Sequence, residues 1–262
     1  MTARTTRRCL TSTPNMATLS SKQRLLAGLT SLLASNMHTP ALTIVKNWPR
    51  ASIQNYPVFL QASSSQFSDA TEGVGSLKCA LSRFAGTTRL IGTALPVWTS
   101  PGDNLAPYAA LRVVQPGDVL VVSSSTYTGC ALLGDHITGL LKNAMGAGLI
   151  TDGLVRDLDG LRRLNLPVYA AGTSPLAPTK IGPGTVGLPI TLGSVVIHAG
   201  DLIVADDDGI VVIPASKFAI TSEKLIAIRK QDETLEQRIR GGATEPPDFS
   251  QLLERSGVRW LT

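Results

Sequence analysis

No acidic residue precedes Asp69 in this 262-residue chain, whereas seven of its 24 basic residues do: Arg4, Arg7, Arg8, Lys22, Arg24, Lys46 and Arg50. The other 17 basic residues face 19 acidic ones, so the overall charge of +5 belongs to the N-terminus and not to the body. Aromatic residues are scarce, at 5%. A nucleic-acid surface gathers Lys and Arg among aromatics on one face, and that class is excluded here. There are only three cysteines, Cys9, Cys79 and Cys130, and no C-x-x-C pair. That excludes a disulfide framework and a cysteine zinc site, and it fits a reducing compartment. No apolar run approaches the roughly 20 residues that span a bilayer. With 43% hydrophobic and 16% charged residues, the chain has ample material for a buried core. Its 24 glycines and 16 prolines suit many tight turns between short elements.

Residues 1–40 read as an extension, and residues 41–262 as one domain. Met1 to Arg24 is rich in Ser, Thr and Arg, the composition of an organelle transit peptide. Leu25, Leu26, Leu29, Leu32 and Leu33 then follow at helical spacing. A disordered tail with a docking helix, in a cytoplasmic protein, and a targeting segment for a mitochondrion or other organelle are both consistent with this pattern.

In the body, Pro49 to Gln61 reads as a helix started by its proline. Ser68 reads as the N-cap of another, with Asp69 and Glu72 in its first turn. Thr88 to Trp98 has a strand pattern, and Pro101-Gly102-Asp103-Asn104 is a turn opening a helix. Pro116-Gly117-Asp118 launches Val119 to Val122, an apolar run typical of a strand buried on both faces. Ser123 to Gly134 reads as a loop, Asp135 to Met145 as a helix and Leu149 to Thr151 as a strand. A helix bearing Leu158, Leu161 and Leu164 follows, and then a strand, Pro167 to Ala171. The second half is β-rich: Val186 to Thr191, Ser194 to His198, Leu202 to Ala205 and Ile210 to Ile213. Lys217 to Arg240 is a long amphipathic helix with Phe218, Leu225, Ile228 and Leu235 as its apolar stripe, and Phe249 to Arg255 is a short last one. Strands flanked by alternating helices indicate an α/β sandwich. The pair Gly117-Asp118 and Gly200-Asp201, each followed by an apolar strand, is a recurring turn device.

Two places carry candidate chemistry. Gly153-Leu154-Val155-Arg156-Asp157 sets an Arg and an Asp where a strand passes into a helix, the end at which α/β sheets bind ligands. There the Asp either caps the helix or holds a hard divalent cation, and the Arg can fork onto a carboxylate. Gly134-Asp135-His136-Ile137 places free backbone N–H groups at a helix start. Asp135 and Asp157 then lie at the same sheet edge. His136 is either a loop histidine or a base. Gly146-Ala147-Gly148 ends a helix and enters a strand, the reverse of a dinucleotide fingerprint, so it reads as a C-cap. That excludes an NAD or S-adenosylmethionine site there. Asp206-Asp207-Asp208-Gly209 reads as a hairpin turn and not as a metal cluster.

In order and spacing, Ser68-Asp69-Ala70, Pro101-Gly102-Asp103-Asn104, Pro116-Gly117-Asp118, Gly134-Asp135, Gly153-x-Val-Arg-Asp157, Leu188-Pro189-Ile190, Gly200-Asp201 and Ala205-Asp206-Asp207-Asp208-Gly209 resemble the RraA-like, 4-hydroxy-4-methyl-2-oxoglutarate aldolase family. The resemblance implies a swivelling α-β-β-α sandwich and a homotrimer or hexamer with sites between subunits. It implies Mg²⁺ or Mn²⁺ held by Asp157 and waters, one of them held by Asp135. It also implies a pyruvyl group bound by Arg156 and the amides of Gly134 to Ile137, and a carboxylate from a neighbouring subunit, matched here by Asp232 or Glu233. His136 and Ile137 stand where leucines are usual, and the loop Ser123 to Cys130 departs from the familiar aldolases. The implied activity is cleavage of a 4-hydroxy-2-oxo acid, such as 4-hydroxy-4-methyl-2-oxoglutarate or 4-carboxy-4-hydroxy-2-oxoadipate, with oxaloacetate decarboxylation as a side reaction. A non-catalytic regulator of RNA-degradation machinery, and a lyase or hydrolase with another substrate, are the competing expectations. No nucleic-acid or membrane partner is expected.

Overall fold

The computed structural model describes residues 41–261; the expectations for residues 1–40 lie outside them. Fourteen strands are present: β1 (Leu42–Ile44), β2 (Ser82–Ala85), β3 (Leu90–Thr99), β4 (Asp118–Ser123), β5 (Ala131–Leu133), β6 (Gly148–Thr151), β7 (Leu154–Val155), β8 (Val168–Ala170), β9 (Gly172–Thr173), β10 (Gly184–Val186), β11 (Ile190–Leu192), β12 (Val195–Ile197), β13 (Leu202–Ala205) and β14 (Ile210–Ile213). Six α-helices accompany them: α1 (Ser64–Ala70), α2 (Leu105–Ala110), α3 (Asp135–Asn143), α4 (Leu158–Leu164), α5 (Phe218–Arg240) and α6 (Phe249–Arg255).

The main sheet runs β1-β10-β3-β4-β6-β8-β2, with β13 on β3 and β14 on β13. Its centre, β3-β4-β6-β8, is parallel. One side of β3 pairs with β13 through Leu90 to Thr93 and with β10 through Val97 to Thr99. Pro96 falls in the gap between them, where no ladder donor is required. Both faces of β4 are covered, which explains its unbroken apolar run. Leu120 and Val122 enter a core shared with the helical layer, whereas Val119 and Val121 enter one beneath the β11-β12 hairpin. β13 and β14 alternate in the same way between this second core and a third, formed with α1 and α5. The fold is the mixed α/β sandwich anticipated from the sequence.

Four details differ from the sequence reading. Residues 49–61 form two 3-10 turns, Ile53–Asn55 and Pro57–Leu60, instead of a helix. Pro57 disfavours helical backbone at the residue before it, and Tyr56 sits at φ −127°, ψ 71°. The turns aim Tyr56 and Phe59 at each other and at Phe218, with ring centroids 5.0 to 5.7 Å apart. The cap of α1 is Ser63, which forms a capping box with Gln66, so Ser68 lies inside the helix and not at its start. Val186 to Thr191 is two strands, β10 and β11, parted at Gly187-Leu188-Pro189. The stretch from Ser123 to Gly134 contains β5.

The repeated Gly-Asp device has one physical basis. Asp118 accepts the N–H of Gln115, and Asp201 accepts that of His198, each three residues back. Gly117 and Gly200 take the positive φ that both turns require. Asp118, fully buried, also binds Arg50 through Nε and Nη2 at 3.0 and 2.9 Å. α3 ends in a Schellman turn whose left-handed residue is Met145 (φ 60°) and not one of the glycines read as its C-cap: Met145 N–H reaches Lys142 O and Gly146 N–H reaches Leu141 O, both at 2.9 Å.

Candidate active site

The two motifs meet on a second, smaller sheet. β5, β7 and β9 pair in parallel, and the Arg156 N–H donates to Leu133 O at 3.0 Å. Gly134 therefore ends one strand beside Arg156 and Asp157 at the end of the next. The shared edge expected from the sequence exists, but it belongs to this three-stranded sheet and not to the main one. Gly134 is needed for the approach: a methyl group there would stand 2.7 Å from Asp157 Oδ2 and 3.2 Å from Arg156 Cγ.

Asp157 occupies the N-cap position of α4, yet its backbone is left-handed (φ 60°, ψ 45°) and its side chain makes no capping bond. An aspartate that merely starts a helix is extended and accepts a first-turn N–H. Asp157 does neither. Left-handed backbone at a non-glycine residue carries a cost and gathers at functional sites. The carboxylate is 47% exposed, and Arg156 Nε lies 3.3 Å from its Oδ2. Gly134 starts α3 in extended conformation, and no side chain caps that helix. The first N–H groups of α3 thus present partial positive charge to the same place.

These groups border a cleft of about 130 Å³. Gly134, His136, Ile137, Arg156 and Asp157 line it together with Asn104, Tyr108 and Lys180. The last three were missed in the sequence. Asn104 is 6% exposed; its Nδ2 donates to Leu132 O at 2.9 Å, and its Oδ1 is buried without a partner among the described residues. Lys180 Nζ lies 4.8 Å from the centre of the Tyr108 ring. Asn104 belongs to a turn motif that the sequence singled out, whereas Lys180 lies in a loop without periodicity.

Asp135 is placed differently. Its carboxylate packs on Gly160, where a methyl group would overlap Oδ2, and it faces an adjoining groove between α3 and α4. His136 lies at the seam of cleft and groove, 87% exposed, with Nε2 3.9 Å from Asp135 Oδ1. Asp232 and Glu233 lie on α5, which packs on α1, and neither lines the cleft of its own chain. Asp232 accepts from Gln66 Nε2 at 2.6 Å. Among the described residues no three His, Cys, Asp or Glu side chains group as a ready metal cage. Asp206 is a turn residue whose carboxylate takes the Ser64 N–H and hydroxyl and the Asp208 N–H. Burial pushes the Cys79 and Cys130 thiols up, with Asp152 adding to the shift at Cys79, so neither is a ready nucleophile.

The loop carrying Lys180 is pinned by Asp103. That carboxylate accepts from the Thr179 hydroxyl, the Ile181 N–H and the Leu105 N–H. Burial alone would raise its pKa, but these bonds outweigh burial and hold it below the ordinary carboxylate value. A carboxyl depressed in the folded state stabilises the protein above its unfolded pKa of about 3.9, and that stability is lost as pH falls through the folded value. Asp103→Asn turns an N–H donor against the Ile181 N–H and should cost about 1–3 kcal/mol at pH 7. The variant should also lose less stability than wild type on acidification. Urea unfolding between pH 2 and 7 checks both, and equal stabilities with parallel pH profiles would contradict them.

Among the described residues no helix is long and apolar enough to cross a membrane. Residues 64–212, more than half of the chain, match the RraA-like family, Aldolase/RraA. A protein of Halalkalibacterium halodurans named "Putative 4-hydroxy-4-methyl-2-oxoglutarate aldolase" is 33% identical over 190 residues, 72% of this chain and 90% of that one. The solved structure of Streptomyces coelicolor RraAS2, titled an unusual member of the RNase ES inhibitor RraA protein family, aligns with a TM-score of 0.63 at 30% identity, over 72% of this chain and 98% of that one. The RNA-processing inhibitor RraA from Thermus thermophilis aligns with a TM-score of 0.55 at 27% identity, over 58% of this chain and 93% of that one. By sequence match and by fold, this chain belongs to the RraA-like family.

Proposed function

We propose that the protein is a divalent-metal-dependent aldolase that releases pyruvate from a 4-hydroxy-2-oxo acid such as 4-hydroxy-4-methyl-2-oxoglutarate or 4-carboxy-4-hydroxy-2-oxoadipate. The observation that carries this reading is the left-handed, uncapped Asp157 carboxylate, set beside Arg156 in a cleft with a buried, unpartnered amide oxygen. The residues fit a hard cation. Mg²⁺ keeps most of its waters and takes one or two carboxylates; Asp157 supplies one, and Asn104 Oδ1 is an acceptor for a water or hydroxyl. A bound Mg²⁺ or Mn²⁺ would supply positive charge beside the oxygen on which negative charge develops.

The chain's own groups do the rest. The first N–H groups of α3 receive the carboxylate of the pyruvyl unit. Arg156 forks onto that unit and faces its 2-oxo oxygen. Lys180 pairs with a second substrate carboxylate. Asp135, in the groove beside the cleft, accepts the proton of the 4-hydroxyl through water. The C3–C4 bond breaks, its electron pair forms the enolate, and the 4-hydroxyl carbon becomes a carbonyl. Protonation at C3 then gives pyruvate. Loss of CO₂ from oxaloacetate leaves the same enolate and is the expected side reaction. Asp232 or Glu233 of a neighbouring copy would complete the site.

Two solved relatives are titled for inhibition of RNA processing or of an RNase, and regulation by binding is the competing reading. The Arg156–Asp157 pair favours catalysis. Pyruvate release from 4-hydroxy-4-methyl-2-oxoglutarate should require Mg²⁺ or Mn²⁺ and stop with EDTA. Full activity in metal-stripped protein would refute the metal mechanism, and no release under any condition would favour regulation.

A homo-oligomer, a trimer or hexamer, belongs to the same proposal. Phe218 and Leu225 of the α5 stripe are buried and Ile228 packs against the third core, but Leu235 and Ile239 are exposed, as are Leu252 and Trp260 beyond them. Light scattering should give a multiple of 27.6 kDa; an active monomer would contradict it.

A further inference from the structure

We infer that the groove between α3 and α4 is a second subsite, which takes the distal end of an extended substrate carrying a terminal anionic group. The inference rests on the aldolase reading and adds to it the class of substrate. The cleft at Asp157 measures about 130 Å³, and the groove about 690 Å³. The two share Tyr108 and His136 in their walls and therefore adjoin. A pyruvyl unit suits the first. A long chain leaving its C4 carbon would pass the exposed His136 ring and enter the second.

The groove is built to stay open. Gly139 stands in the middle of α3, where glycine weakens a helix relative to alanine. Packing does not demand it: a methyl group there would meet only Leu164, at ordinary contact distances of 3.6 and 3.8 Å. Any larger side chain at that position would project into the groove. Gly160, on the facing helix, makes room for the Asp135 carboxylate. Leu140 and Leu164 supply apolar walls for methylene groups. Arg163 supplies the recognition group at the groove. Its neighbour Arg162 pairs with Asp159, whereas Arg163 has no ion pair or hydrogen bond among the described residues. A guanidinium without a partner, beside an apolar trough, fits a carboxylate at the end of a short carbon chain.

The test compares 4-hydroxy-2-oxopimelate with 4-hydroxy-2-oxoheptanoate, which have equal chain lengths but differ in the terminal carboxylate. Wild type should prefer the dicarboxylate by at least about tenfold in kcat/KM. Arg163→Gln should collapse that preference. Gly139→Leu, which replaces glycine by a good helix former, should lower kcat/KM for both long substrates by about tenfold or more relative to pyruvate methyl exchange. Exchange of the pyruvate methyl protons in wild type, without a dicarboxylate preference, would overturn the subsite and leave the aldolase reading standing. Absence of exchange would remove that reading and the subsite with it. A preference untouched by Arg163→Gln would overturn the assignment of the anion site. If Gly139→Leu changed the oligomeric mass and spared the selectivity, the groove would be a contact between copies and the subsite would be wrong.

Discussion

Asp157→Asn should abolish most turnover, by more than about a hundredfold, while leaving the fold intact. Asparagine tolerates left-handed backbone about as well as aspartate does, so the φ of 60° at this position is no obstacle. No capping bond is lost, because none exists. The contact with Arg156 is between groups 37% and 47% exposed, and such pairs contribute about 0–1 kcal/mol. What disappears is the negative charge that a hard cation requires. Thermal unfolding without metal should therefore be nearly unchanged, turnover should collapse, and calorimetric Mg²⁺ binding should weaken sharply. Alanine would be a poorer test, since it adds strain in the left-handed region. If Asp157→Asn turns over like wild type, the site assignment fails.

Arg156→Lys should separate substrate binding from metal binding. Lysine keeps the charge but presents a point charge where arginine presents a planar fork. Arg156 extends along Gly134 towards Asp157 and lines the cleft of about 130 Å³. Losing one charge-assisted hydrogen bond to a carboxylate or oxyanion costs about 1.5–3 kcal/mol, so kcat/KM should fall by roughly tenfold to a hundredfold. Mg²⁺ affinity measured without substrate should stay within about twofold, because the metal ligand is untouched. Equal losses of both would mean that Arg156 serves mainly to hold Asp157 in place.

Legibility in the sequence followed local pattern strength. β4 and the β13-β14 hairpin could be read because their apolar residues are contiguous and their turns are marked by glycine. Arg156 and Asp157 could be read because they stand where a strand gives way to a helix, and Gly134 because it opens one. β5 could not be read, since three residues leave no period, and with it went the small sheet that brings the two motifs together. The helix expected over 49–61 failed because Pro57 and the aromatic cluster around Phe59 outweigh helix propensity. Lys180 was invisible because its position depends on Asp103, 77 residues earlier, gripping the loop by hydrogen bonds. The placement of Asp135 towards Gly160, away from the cleft, is likewise a tertiary outcome, set by two helices meeting.

The most direct measurement is the exchange of pyruvate methyl protons in D₂O, followed by NMR with Mg²⁺ and with EDTA. It requires only the enolate, whichever 4-hydroxy-2-oxo acid is the true substrate. The account predicts rapid exchange with Mg²⁺, none above background with EDTA, and none in Asp157→Asn. Absence of exchange with Mg²⁺, or undiminished exchange in Asp157→Asn, would contradict it.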